Sequence, residues 1–209
     1  MMSNKLVRKD YWDDVYKNKL PNQVSWYEEF PVVSFDMIEA AGVGPDANII
    51  DVGGGASTLV DNLLSNGYRR ITVLDVAPVS IDKAKERLKG KAGSVKWLEA
   101  DITEVKLTED YDVWHDRAVF HFLTNADDRK RYVSAVRQSL KIGCHLIVST
   151  FSVDGPMKCS GLDVVRYSPQ TLSSEFGDDF QLIESSHVEH ITPAKVVQRF
   201  IFCRFKRVR

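Results

Sequence analysis

Apolar runs alternate with amphipathic stretches along the middle of the chain. Short runs rich in valine and isoleucine are typical of buried strands, and apolar positions three and four residues apart are typical of helices. Five strands are predicted, at 48–52, 71–75, 94–98, 111–115 and 145–150. Three helices are predicted between them, at 56–65, 78–89 and 127–140. Strands that alternate with helices predict a parallel sheet covered by helices on both faces.

The two ends of the chain break this alternation. The predicted elements there are helices at 10–17 and 31–41 before the first strand, then a helix at 168–176 and strands at 180–191 and 197–205. Residues 192–195 make so short a link that the last two strands form a hairpin. The expected fold class is therefore α/β, with a doubly wound seven-stranded sheet, the last strand antiparallel, and helices on both faces.

Composition and charge narrow the class of protein. The chain has 209 residues, 44% hydrophobic and 27% charged, which suits a single globular domain. A net charge of -1 leaves no electrostatic footprint for nucleic acid, and no apolar run is long enough for a transmembrane helix. Cys144, Cys159 and Cys203 lack zinc-ligand spacing and favour a reducing, cytoplasmic setting. Cys159 lies in a glycine- and proline-containing loop and is expected to be exposed.

A glycine turn, Gly53-Gly54-Gly55, follows the first predicted strand directly. The strand ends in the acid Asp51, and small residues after the turn open the next predicted helix. Glycines let a ligand approach the backbone closely, and the N–H groups of a new helix can face an anionic or polar group. The turn therefore marks a candidate ligand site.

Acidic residues follow the other predicted strands. Asp75 ends the second strand, where a carboxylate can accept hydrogen bonds from both hydroxyls of a ribose. Asp101-Ile102 follows the third strand, where an acid beside an aliphatic residue can accept from an exocyclic amine and pack on a purine. Asp116 follows the fourth. Ligands of open α/β sheets bind beyond the carboxyl ends of the strands, so these acids are expected at one site.

Two classes of ligand compete for this arrangement. A dinucleotide favours glycine at the third position of G-x-G-x-x-G, and here Thr58 stands there. A nucleoside without phosphate needs acids for its ribose, its base and an ammonium group. The glycine turn carries no Lys or Arg, and four acids lie near the strand ends. The acids favour the cationic, phosphate-free ligand.

Together these motifs resemble those of the class I S-adenosylmethionine-dependent methyltransferases. Asp51 to Ser57 resembles the D-x-G-x-G-x-G motif, with Ser57 in place of the last glycine, and the resemblance covers roughly residues 31–209. It implies a Rossmann-like fold and S-adenosylmethionine as cofactor. It also implies the cofactor-binding residues Trp26, Asp51, Gly53, Gly54, Gly55, Ser57, Asp75, Val76, Asp101, Ile102 and Asp116.

The stretch Trp114 to Phe120, which contains Asp116-Arg117-Ala118, is similar to one in the thiopurine S-methyltransferase-like group. The same region resembles the small lysine methyltransferases of elongation factor 1A and citrate synthase, although Arg117-Ala118 and His121-Phe122 depart from their pattern. The expected function is methyl transfer to a small molecule, with a thiol or another soft nucleophile favoured. The alternatives are a protein lysine N-methyltransferase and a nucleoside- or nicotinamide-dinucleotide-binding domain without methyl transfer.

Two candidate catalytic groups follow the fourth strand, Asp116 and His121. His121 is a candidate base, and Asp116 a candidate partner for the donor's ammonium group or wall of the acceptor pocket. Residues 1–30 form an N-terminal segment whose aromatic residues Trp12, Tyr16, Trp26 and Tyr27 are expected to cover the site or to pack in the core. Residues 31–209 form the expected methyltransferase domain. The acceptor is expected to be a small molecule or a protein, with no nucleic acid, membrane or metal, and the oligomeric state stays open.

Overall fold

The structure, a computed structural model, describes residues 4–209, with side chains from residue 8 onward. Its α-helices are α1 (Asn4–Asn18), α2 (Val32–Ala40), α3 (Leu59–Ser65), α4 (Pro78–Leu88), α5 (Ala126–Ser139) and α6 (Pro169–Phe176). Its first five strands are β1 (Asn48–Val52), β2 (Arg70–Asp75), β3 (Val95–Glu99), β4 (Tyr111–Arg117) and β5 (Leu140–Phe151). The others are β6 (Lys158–Cys159), β7 (Leu162–Asp163), β8 (Phe180–Ile191) and β9 (Val197–Arg207).

The main sheet has seven strands in the order β3-β2-β1-β4-β5-β9-β8. Strands β1 to β5 are mutually parallel, and β9 is antiparallel to both of its neighbours, β5 and β8. The short strands β6 and β7 form a separate hairpin. This arrangement confirms the predicted doubly wound, Rossmann-like sheet with its last strand antiparallel. The winding reverses between β1 and β4, which is where ligands bind in such folds.

Each face of the sheet buries its own apolar layer. On one face, Trp114 of β4 packs with Tyr132 of α5 and Phe176 of α6. On the other, Val113 packs among residues from α2 and α3, such as Ile38. Adjacent strand residues point to opposite faces, so neighbouring Val113 and Trp114 serve different layers. These layers fix the strand ends from which the site is built.

Helix boundaries follow local capping chemistry. The Asn125 side chain accepts from the Asp127 N–H at 2.8 Å and begins α5, and Ser168 caps α6 in a capping box with Thr171. Helix α3 begins at Leu59, three residues later than predicted, because residues 53–58 are used by the glycine turn. Within the described residues, no helix is long and apolar enough to span a membrane.

The Cys159 expectation was wrong. Its side chain is only 4% exposed, because the β6–β7 hairpin folds its loop back onto the core beside Phe151 and Phe200. A glycine- and proline-containing stretch indicates a turn but not which way the turn faces.

Candidate functional site

A cavity opens at the carboxyl ends of β1 to β4. With the space at its open mouth included, it encloses about 1020 Å³. Its floor comes from the strand ends and includes Gly53, Asp75, Val76, Asp101, Ile102 and Arg117. Three rings of the N-terminal segment cover it and are termed the aromatic roof: Trp12, Tyr16 and Trp26. The far wall includes Phe122, Cys159, Leu162 and Phe200. The structure therefore brings six of the eleven predicted cofactor-binding residues onto one cavity.

The glycine turn has no room for side chains. Gly53 has a φ of +72°, and a Cβ there would overlap Val119. A Cβ on Gly54 would overlap the Asp51 carboxylate, and one on Gly55 would overlap Asp75 and Ser80. Of the three glycines, Gly53 lines the cavity. The other two let the acids of β1 and β2 pack directly beneath the turn.

Asp75 reaches the cavity from the end of β2. Its Oδ1 accepts the Ala77 N–H at 2.8 Å, and its side chain is only 6% exposed. Burial raises its pKa to about 7, although the hydrogen bonds from Ala77 and Ser80 act to lower it. Val76 follows it on the cavity floor. A carboxylate held at this depth can accept from a ligand's hydroxyl groups.

Asp101 lies one strand further along, after β3. Its Oδ1 accepts from the Thr103 N–H at 2.8 Å and the Thr103 hydroxyl at 2.7 Å. Its Oδ2 accepts from Arg8 of α1 at 3.0 Å, and Arg8 also pairs with Asp128. Burial opposes ionisation of Asp101, but the bonds from Thr103 and Arg8 outweigh it and lower the pKa. Beside it, Ile102 is 5% exposed and offers an apolar surface to a flat ring.

Asp51, at the carboxyl end of β1, belongs to a buried polar chain. Its Oδ1 lies 2.7 Å from Nδ1 of His115, and Nε2 of His115 lies 2.9 Å from the Ser34 hydroxyl. All three residues are at most 2% exposed. Oδ2 of Asp51 has no hydrogen-bond partner among residues 4–209.

The two predicted catalytic residues do not reach the cavity surface. Asp116 and His121 are both fully buried. Asp116 accepts from the N–H groups of Val119 and Phe120 and from the Tyr132 hydroxyl. Burial raises the Asp116 pKa to about 6 and lowers the His121 pKa to about 3. Asp116 therefore shapes the cavity wall from beneath it rather than facing a ligand.

Ser57 is exposed, and its hydroxyl accepts the Leu59 N–H at 3.1 Å at the start of α3. It stands outside the set of cavity-lining residues, as do Asp51, Gly54, Gly55 and Asp116. The Ser57 hydroxyl therefore accepts a backbone hydrogen bond at the start of α3 and does not face the cavity.

Three polar residues that line the cavity were not among the predicted site residues: Arg8, Arg117 and Cys159. The Arg117 guanidinium donates to the Trp26 carbonyl at 2.8 Å, pairs with Glu28 at 3.1 Å and lies 5.4 Å from the Phe200 ring. Its burial lowers its pKa. Arg117 thereby ties the aromatic roof to the end of β4.

The rings of the aromatic roof meet edge to face. The centroids of Trp12 and Trp26 are 5.7 Å apart, and those of Tyr16 and Trp26 are 6.1 Å apart. Trp12 also meets Phe122 of the far wall at 5.0 Å. These three rings pack together and line the cavity, whereas Tyr27 of the predicted aromatic set lies outside the cavity lining.

Comparison with known proteins agrees with this geometry. Residues 50–146, which run from β1 into β5, match the methyltransferase domain family. A solved structure of the N-methyltransferase NodS from Bradyrhizobium japonicum WM9, in complex with S-adenosyl-L-homocysteine, superposes with a TM-score of 0.71. It is 17% identical and covers 93% of this chain and 97% of its own.

Residues 50–146 therefore carry a methyltransferase domain, within a chain that has the fold of solved methyltransferases. The resemblance seen in the motifs is confirmed, and S-adenosylmethionine is the methyl donor of this class of domain. Sequence relatives include a malonyl-[acyl-carrier protein] O-methyltransferase of Anoxybacillus flavithermus, 31% identical over 70% of this chain and 56% of that protein. Another is EEF1A lysine methyltransferase 2 of Danio rerio, 26% identical over 70% of both chains. The chain spans about half the length of the first of these relatives.

The residues of the methyltransferase domain fit this donor. Asp101 and Asp75 end neighbouring strands on the floor, and Asp51 holds an unpartnered oxygen one strand further along. Gly53 lines the cavity beside them. Among the described residues, no group of three or more His, Cys, Asp or Glu side chains is placed to hold a metal ion.

Proposed function

We propose that this protein transfers a methyl group from S-adenosylmethionine to a small-molecule acceptor with a soft nucleophile, such as a thiol. The observation that carries the proposal is the row of acids on the cavity floor of a methyltransferase domain. Asp101 and Ile102 take the adenine, Asp75 takes the ribose, and Gly53 with Asp51 takes the amino-acid end. When bound, S-adenosylmethionine supplies an electrophilic methyl group on a cationic sulfur.

The cavity residues align the acceptor and exclude water. The aromatic roof covers the floor, and Phe122, Leu162 and Phe200 form an apolar wall opposite. An apolar enclosure strengthens the alignment of two reactants and favours uncharged or soft acceptors. In this proposal, residues 1–30 act as a covering segment and residues 31–209 as the catalytic domain.

The titratable groups on the cavity favour an acceptor that needs no enzymatic base. Asp75 and Asp101 are committed to the donor, and Arg8 and Arg117 are cations. Burial raises the pKa of Cys159 to about 12, so its thiol stays protonated. A thiol acceptor has a pKa of about 8.5 and ionises readily beside cations. A lysine has a pKa near about 10.4, so its deprotonation requires a base or stronger desolvation. Cys144, Cys159 and Cys203 are free thiols, which supports the proposed reducing, cytoplasmic setting.

Protein lysine methylation is the second candidate. It is supported by the similarity to EEF1A lysine methyltransferase 2. It requires that a protein's lysine side chain pass beneath the aromatic roof.

A methyl-transfer screen with isotopically labelled donor tests the proposal. Small thiols, small amines and cell-lysate proteins serve as acceptors, and the Asp75→Asn variant serves as the control. We expect transfer to a thiol by the wild type and a strong reduction in the variant. A labelled protein band would favour the lysine candidate, and absence of transfer to every class would contradict methyl transfer.

A further inference from the structure

The chain Ser34–His115–Asp51 joins three elements of the fold. Ser34 lies in α2, His115 in β4, and Asp51 beside it in β1, where the two residues are register partners. A carboxylate only accepts, so Nδ1 of His115 carries the proton in its 2.7 Å bond to Asp51 Oδ1. The Ser34 hydroxyl, 2.9 Å from Nε2, holds the other side of the ring. The bond to Nδ1 fixes the rotation of the Asp51 carboxylate, which is otherwise a soft torsion.

Within residues 4–209, the hydrogen bonds among Ser34, His115 and Asp51 leave one buried polar atom of this group without a partner. Oδ2 of Asp51 is buried and has no partner among the residues that the structure describes. Leaving a buried acceptor unpaired destabilises a fold, and more so when the group is charged. The oxygen faces the glycine turn, since a Cβ on Gly54 would overlap it. The carboxylate is thus held with its free oxygen toward the turn beside the cavity.

The order of the strands indicates which ligand group this oxygen meets. The sequence β3-β2-β1-β4 places Asp101, Asp75 and Asp51 on successive strands. Neighbouring strands lie about 4.8 Å apart, so β1 lies about 10 Å across the sheet from β3, and the register sets Asp51 opposite Val73, two residues before Asp75. With the adenine and ribose at Asp101 and Asp75, the amino-acid end of the ligand reaches β1. That end carries an ammonium group, which a carboxylate oxygen accepts from strongly.

We propose that His115 and Ser34 are positioning residues that direct Oδ2 of Asp51 toward the ammonium group of the bound donor. The inference rests on the proposed function and adds two residues that do not touch the ligand. It assigns them to one part of the ligand, the amino-acid end, and not to the adenosine.

Two ligands distinguish binding of the amino-acid end from binding of the adenosine. S-adenosylhomocysteine carries the ammonium group, and 5′-methylthioadenosine lacks it. Calorimetry gives the affinity ratio of the two probes for each variant. In His115→Leu we expect the preference for S-adenosylhomocysteine to fall about tenfold, as a lost charge-assisted hydrogen bond implies, with the methylthioadenosine affinity unchanged. His115→Asn places an amide donor near the Nδ1 position and should restore part of the preference. Asp51→Asn should lower the ratio as His115→Leu does.

Ser34→Ala should lower the ratio to a smaller extent. Ser149→Ala is the matched control, because this serine is also fully buried and lies on the sheet, and it should leave the ratio unchanged. Equal weakening of both probes in His115→Leu, or equal affinity of the wild type for both, would overturn the positioning role. If His115→Leu fails to fold, an unchanged ratio in Ser34→Ala would overturn it. If the wild type binds neither probe, the proposed function itself fails.

Discussion

The hydroxyl of Tyr132 donates a 2.6 Å hydrogen bond to Oδ2 of Asp116, and both residues are fully buried. Trp114 donates in turn to the Tyr132 oxygen at 2.9 Å. The same carboxylate accepts from the N–H of Val119 at 2.8 Å, in the turn where Ala118 has a φ of +70°. Asp116 thus organises the turn whose residues Ala118 and Val119 line the cavity.

Tyr132→Phe should therefore destabilise the fold by about 1–3 kcal/mol, because it removes a buried hydrogen bond to a carboxylate. Tyr111→Phe is the matched control, since its buried hydroxyl makes only a 3.5 Å contact with Thr72. Urea unfolding of both variants measures the difference. Equal losses of stability in the two variants would show that the Tyr132–Asp116 hydrogen bond does not stabilise the fold.

Asp75 should make donor binding depend on pH. Burial raises its pKa to about 7, and ribose hydroxyls need its ionised form as acceptor. Affinity for S-adenosylhomocysteine should therefore be full above that pKa and fall as the pH drops below it, by up to about tenfold per unit. Calorimetry between about pH 6 and 8 tests this. Asp75→Asn should bind weakly with a flatter profile, and an identical profile in that variant would remove Asp75 from the ribose role.

Arg8 should retain the bound donor. Its guanidinium joins Asp101 to Asp128, whose side chains are 4% and 3% exposed, and it lines the cavity. Arg8→Ala should release S-adenosylhomocysteine about tenfold faster, because α1 loses its charged tie to the floor. Lys9→Ala, which removes the neighbouring pair with Glu99, is the control. Stopped-flow tryptophan fluorescence measures the rates. Tighter binding in Arg8→Ala would instead mean that Arg8 competes with the adenine for Asp101.

His121 should not act as a general base. Its ring is fully buried, Nδ1 accepts the Phe151 N–H at 3.3 Å, and burial lowers its pKa to about 3. His121→Asn should keep the pH profile of kcat/KM of the wild type while losing some stability. A profile in which an ionisation near neutral pH disappears in the variant would restore the catalytic interpretation of this residue.

Features close together along the chain could be predicted from the sequence. Gly53, Asp75 and Asp101 lie at or just after the ends of β1, β2 and β3, and the strand-end rule for α/β sheets predicts that they share one edge, where all three line the cavity. The hairpin of β8 and β9 followed from its short link. The strand runs and helix caps carry this information in local residue patterns.

Features that depend on contacts between distant parts of the chain could not be predicted from the sequence. Arg8 meets Asp101 across 93 positions of sequence, and no local pattern signals that pairing. The sequence places Asp116 at a strand end, but Tyr132 of α5 and the turn after β4 draw its carboxylate into the core. Cys159 lies on the cavity only because the β6–β7 hairpin folds inward.

Calorimetric titration of the purified protein with S-adenosylhomocysteine, and in parallel with NAD, tests the central claim most directly. The row of acids on the floor, with glycine between them and no phosphate-binding cation in the turn, predicts tight binding of S-adenosylhomocysteine and negligible binding of NAD. Asp75→Asn should abolish most of that binding while the protein stays folded. Tight binding of NAD without a response to S-adenosylhomocysteine would contradict the account.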